Sequence, residues 1–324
     1  MRESLLKQCE TFIHNRDEIR SYFKWESPYV VAVCASEFCG KNVTAEVERL
    51  LECKNIVDKT VGVFSKFRGS ANLPVICMLA ADENSQARMD KAKEIHDALK
   101  LRFRDSQYVA MIATKLCEMI DADQADGCGA RAKDIYTLMK KEHPFLTGME
   151  DSVFATLLAF SDKKDADLIE DIEDCFKIMK KFSNDNNAMQ SLAHVLAMDR
   201  GDSESKCERV IAIHKALEER GYRYGKNYEM AVLGALSILP IDMNIIIEDI
   251  IEVDEFLAQQ KGYGGLGIDK KTRLMHAAML VADDYSHKNI ANTTAIMGTL
   301  VTMAAQQAAM CSIIAATVAI SVTT

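Results

Sequence analysis

The chain has 324 residues, 48% hydrophobic and 27% charged, which is ample material for a large core. Its formal charge of −9 at pH 7 argues against nucleic acid as a partner, because an acidic surface repels phosphates. The 4 prolines and 15 glycines are too few to punctuate a β fold of this length and suit long helices.

The opening residues, Met1 to Gln8, lack the apolar run of a secretion signal. An amphipathic helix follows at once, with Leu6, Cys9, Phe12 and Ile13 at i, i+3, i+6 and i+7. The same four columns return as Leu50, Cys53, Ile56 and Val57, then Ala92, Ile95, Ala98 and Leu99, then Ala132, Ile135, Leu138 and Met139. They continue as Ile172, Cys175, Ile178 and Met179, as Val210, Ile213, Ala216 and Leu217, and as Ile250, Val253, Phe256 and Leu257. Any amphipathic helix fits such columns; the near-constant spacing of about 40 residues is what marks a repeat. A more apolar helix follows each, as in Asp151 to Phe160, Gln190 to Met198 and Met230 to Ile238. Helices apolar nearly all round are buried, so each unit reads as an outer amphipathic and an inner buried helix. No unit covers its own apolar face, so neighbours stack. The expected fold is all-α: about seven stacked helical hairpins forming an α-α superhelix or curled array.

Thr147–Glu150 and Ser205–Glu208 have capping-box spacing, and Gly221 and Gly262 stand where outer helices should end. Val30 to Val33 and Ile245 to Ile247 are β-branched but fall within helical phase. The repeat domain is expected over residues 1–288. Residues 289–324 carry no charge and read as a small-residue helix packed on that domain or at an oligomer interface. Gln306, Gln307 and recurrent Thr and Ser make a membrane-spanning role for this segment unfavourable. The 10 cysteines form no metal or redox spacing, so buried thiols in a reducing cytoplasm are expected, with no metal and no cofactor.

Loops within hairpins should lie along one edge of a stacked array. They hold Trp25, Tyr29, Phe67, Arg68, Arg102, Phe103, Arg104, His143, Phe145, Tyr222, Arg223, Tyr224 and Tyr263. Such residues make binding hot spots, although loop aromatics also bury against helix ends. Arg68, His143, Arg223 and Tyr263 are the candidate contacts. Gly262–Gly267 contains G-x-G-x-x-G but follows a helix, so a turn is expected in place of a dinucleotide site. Asp283, Asp284 and His287 read as capping or solvated groups before a metal site, and His194 and His276 as core histidines. His96 and His214 occupy equivalent repeat positions, which points to one shared structural slot.

Phe23 to Tyr29, Gly62 to Gly69, Glu142 to Thr147 with Glu150 to Ala155, Asp249 to Leu257 and Met303 to Cys311 are distinctive stretches. Together, nearly end to end, they resemble a bacterial domain-of-unknown-function family, number four thousand and three. The resemblance implies no activity and no functional residues. It implies a small-residue tail, of which Thr317 to Thr324 is a variant, and a poly-Ser ending inserts badly in lipid.

The expected function is a cytoplasmic helical-repeat scaffold for a protein or peptide. Two other readings stay open. One is an all-α enzyme in which His194, His276 and Asp283–Asp284 converge in a pocket. The other is a structural homo-oligomer joined through the C-terminal helix.

Overall fold

A computed structural model describes residues 1–39, 41, 43–265, 267–287 and 303–310. Its regular structure is helical; among these residues an isolated bridge pairs Tyr263 with Ile268 and no strand forms. Helices alternate in type along the chain: α1 (Glu3–Tyr22) and α2 (Pro28–Cys39), α3 (Val47–Thr60) and α4 (Asn72–Ala80), α5 (Ser85–Leu99) and α6 (Gln107–Leu116). Then come α7 (Ala125–Glu142) and α8 (Asp151–Leu158), α9 (Asp165–Met179) and α10 (Asn186–Leu196), α11 (Ser203–Glu219) and α12 (Glu229–Ser237), α13 (Met243–Ala258) and α14 (Lys270–His287). The odd-numbered helices are amphipathic; the even-numbered ones are mostly buried. The two β-branched runs lie inside α2 and α13.

Contacts divide the chain into two compact units: Thr11–Asp162, and Lys163–Thr324 together with Met1–Glu10. In the first, α3, α5 and α7 pack in series, and so do α2, α4, α6 and α8. In the second, α9, α11 and α13 pack in series beside α10, α12 and α14. Each order is what stacked hairpins require. From Leu50 onward, the first, second and fourth apolar columns of every amphipathic helix are buried and the third is half-buried. In α1 the register is one residue out: Leu5, Gln8 and Phe12 take the buried columns. Gln8 can do so because its amide donates to the Leu280 carbonyl (3.2 Å) and to Asp283 (2.6 Å).

Two devices recur that apolarity does not report. The residue just before the first column is Arg49, Lys91, Arg131, Asp171, Arg209 or Asp249 in successive amphipathic helices. Arg49 donates to Asp82 and Glu83 carbonyls, Lys91 to Cys117, Arg131 to Ala159 and Ser161, and Arg209 to Ser237, Leu239 and Ile241. Each cation thus meets the carbonyls at the end of its own hairpin's buried helix, where the macrodipole is negative. Where Asp171 replaces the cation it holds Lys163 (2.5 Å), and Lys163 donates to the Ala197 and Asp199 carbonyls. The second device is the slot four residues after the first column. It holds His96, Tyr136 and His214, and each seats an aromatic from the preceding hairpin's loop. The pairs are Phe67 on His96 (4.9 Å between centroids), Phe103 on Tyr136 (5.5 Å) and Phe182 on His214 (5.1 Å). Burial lowers the pKa of both histidines; Asp105 opposes this at His96 and the Tyr224 carbonyl at His214.

Helix ends depart from expectation. Thr147–Glu150 forms no capping box: α8 starts at Asp151, whose carboxylate turns back to accept from Gly148 N–H (2.8 Å). Ser205 is already inside α11, because Asp202 caps that helix by accepting from Ser205 N–H (2.9 Å). Gly221 does end α11, at φ +89°, with Tyr222 N–H bonding to the Leu217 carbonyl in a Schellman arrangement. Residues 303–310 form a further helical stretch, buried throughout, Gln306 and Gln307 included. The rest of the 289–324 segment, with Cys311 and Thr317 to Thr324, lies outside the described residues.

Candidate binding edge

In the Thr11–Asp162 unit, the ends of α2 and α6 are held together by ions. Lys115 of α6 pairs with Glu37 of α2, and Lys41 just after α2 pairs with Glu118 just after α6 (2.7 Å). Arg88 reaches Glu118 (2.7 Å), Asp82 (2.9 Å) and the Thr114 carbonyl (3.2 Å). Burial pushes Glu118 up, but Lys115, Arg88 and Lys41 overcome it and hold its carboxyl well below the usual range. Burial likewise depresses Lys115, and Glu37 and Glu118 reverse this, so its ammonium stays charged.

With the C-terminal ends of α2 and α6 joined, their N-terminal ends share the opposite side. The loops within hairpins gather there. Phe67 and Asp105 meet at His96, linking the second loop to the third. Phe103 and Gly148 meet at Tyr136, linking the third to the fourth.

The expected loop residues divide sharply. Phe67 and Phe103 are buried as anchors in this unit, as are Tyr224 and Tyr263 in the other. Trp25 is 100% exposed and Phe145 99%. Two further tips escaped sequence reading: Phe64, 94% exposed, and Leu101, 76%. Each of the four loops within hairpins of this unit therefore presents at least one large apolar side chain to solvent, with Val63 beside Phe64 and Met149 after Phe145 also exposed. Each tip has an exposed cation within four residues: Lys24, Lys66, Lys100 and Lys141. The four loops (23–27, 61–68, 100–106 and 143–150) carry six Lys and Arg against three Asp and Glu. The segments between hairpins (40–46, 81–84, 117–124 and 159–162) carry one against seven. Charge is thus segregated to the two ends of the unit's hairpins.

The named candidates are distributed differently. Arg68 is half-buried, donating to the Asp58 carbonyl (2.7 Å) and Val61 carbonyl (3.2 Å) at the end of α3. His143 is the half-buried C-cap of α7, its carbonyl accepting from Leu146 and Thr147 N–H groups. Arg223 is exposed and belongs to the other unit. Tyr263, also in that unit, is buried with its hydroxyl 3.0 Å from His276 Nδ1. The structure does not bring these four together.

In the unit containing α14, Asp283 accepts from Gln8, and Asp284 pairs with Arg2 (3.0 Å), which also reaches Asp249 (2.8 Å). His194 is wholly buried, and the His287 side chain lies outside the described residues. No group of three or more His, Cys, Asp or Glu among the described residues is placed to hold a metal. The glycine-rich turn closes on itself. Gly264 N–H donates to Ile268, Gly267 N–H to Gly264 and Ile268 N–H to Gly262, so these amides are not presented to a phosphate. A Cβ at Gly267 would sit 2.1 Å from the Gly262 carbonyl oxygen. An open groove of about 590 Å³ runs between Asp199, Lys206, Arg209 and Ile241. Its two cations are engaged, Lys206 by Asp171 (2.6 Å) and Arg209 by backbone carbonyls.

Paired helices with recurrent carbonyl-capping cations and loop anchors define an all-α protein with exposed apolar loop tips. The chain belongs to the family described as "Protein of unknown function (DUF4003)", which matches residues 15–309. No curated protein and no solved structure matches the chain.

Proposed function

We propose that this protein is a binding scaffold whose working surface is the loop edge of Thr11–Asp162. One observation carries the reading: four successive loops each expose a large apolar residue, Trp25, Phe64, Leu101 and Phe145, beside a cation. Leaving such a side chain in water forgoes about 1.5–3 kcal/mol that burial would return. Recurrence at one end of successive hairpins is what a spaced contact surface needs. The nine described cysteines form no disulfide, which suits the reducing bacterial cytoplasm. Among the described residues no helix is long and apolar enough to cross a membrane. The enzyme reading has less support, because Asp283, Asp284 and His276 are engaged by Gln8, Arg2 and Tyr263.

The test is capture from host-cell extract by the immobilised full chain, beside the variant Phe64→Ser/Phe145→Ser. Components held by the natural chain should be lost from the variant while its melting temperature stays unchanged. Retention of the same components by both would end the proposal.

A further inference from the structure

The tips and charges on this edge specify the kind of partner. Side chains exposed at 94–100%, as Trp25, Phe64 and Phe145 are, protrude and line no hollow. A rigid protein would need a separate pocket for each tip, at matching spacing. A fluid lipid interface needs none: it takes Trp at headgroup level and Phe and Leu just below. Lys24, Lys66, Arg104, Lys140 and Lys141 are exposed around the tips, with Lys100 paired to Asp97, and outnumber the exposed Glu26, Asp105 and Glu142, so that long cationic side chains can meet lipid phosphates. A second copy of the edge is a poor occupant, because like charges would face each other. Within this unit the acidic loops sit at the other ends of the hairpins, which turns the basic edge toward an anionic surface.

We infer that the loop edge of Thr11–Asp162 docks reversibly on an anionic phospholipid surface, lying on the bilayer without spanning it. This rests on the binding-edge reading above. Trp25 is the chain's single tryptophan, so intrinsic fluorescence reports the edge directly. The full chain is titrated with phosphatidylcholine vesicles, with and without phosphatidylglycerol, and flotation is followed in parallel. Expected are a blue shift of Trp25 and co-flotation with the anionic vesicles alone, both weakened by salt. Phe64→Ser/Phe145→Ser should lower vesicle affinity at least about tenfold, with Trp25 still reporting. Lys140→Gln/Lys141→Gln should do the same, about fivefold per residue.

No blue shift with anionic vesicles overturns the inference, as does a shift equally strong in the Phe64→Ser/Phe145→Ser variant. If vesicles fail but a protein or peptide from extract is held only by the natural chain, the lipid inference falls and the scaffold reading stands. If neither binds, both fall.

Discussion

At the residue scale, similar side chains in neighbouring loops have opposite roles. Phe103 is buried against Tyr136, and Phe64 is open to solvent. Phe103→Ala should cost about 3 kcal/mol, whereas Phe64→Ala should stay within about 0.5 kcal/mol. Thermal melts of the two variants check this. Asp151 gives a pH prediction. Burial, with Glu150 beside it and Gly148 N–H opposing, pushes its carboxyl up to about 7. The folded chain therefore holds a proton that the unfolded chain releases near 4. This group's contribution is most favourable below about pH 4 and declines as pH rises toward 7. Asp151→Asn should gain stability relative to the natural chain across that window, read as the difference in melting temperature from pH 4 to 8. Glu118 has the opposite sign. Its depressed carboxyl stabilises the fold at neutral pH, and that stabilisation is lost as pH falls below about 4.3.

At the scale of elements, helix ends depend on cations from elsewhere in the chain. Arg131→Ala leaves the Ala159 and Ser161 carbonyls without their donor, and should cost about 1–3 kcal/mol in urea unfolding. Sequence reading found the seven amphipathic helices because their apolar period is local. It missed the cation column, although Arg49, Lys91, Arg131 and Arg209 recur at the same period. Asp171 and Asp249 interrupt the column, and only the folded chain shows Lys163 and Arg2 arriving to restore positive charge there. The capping boxes failed for a related reason. Spacing identifies a motif, but Asp202 and Asp151 were competing carboxylates close by.

At the scale of the whole molecule, residues far apart in the chain share one unit. Arg2 meets Asp249 and Asp284, and the Asp284 side chain is fully buried. Arg2→Ala removes a half-exposed cation from two buried carboxylates and should cost about 1–3 kcal/mol, measured by thermal or urea unfolding. Asp284→Asn in the same chain should recover part of that loss.

Length, period and columns in the sequence by themselves determined the all-α architecture, because burial of an amphipathic helix is written every three or four residues along its own chain. They placed aromatics in the loops and made the glycine-rich stretch a turn. The tertiary structure alone decided which aromatics anchor and which protrude. That choice belongs to the next hairpin, where His96 or Tyr136 offers a seat to Phe67 or Phe103 and, among the described residues, nothing offers one to Phe64 or Leu101. It also decided that Arg68 and Tyr263 face inward partners, since a hydrogen bond to a carbonyl or to a histidine on another element leaves no local period to read.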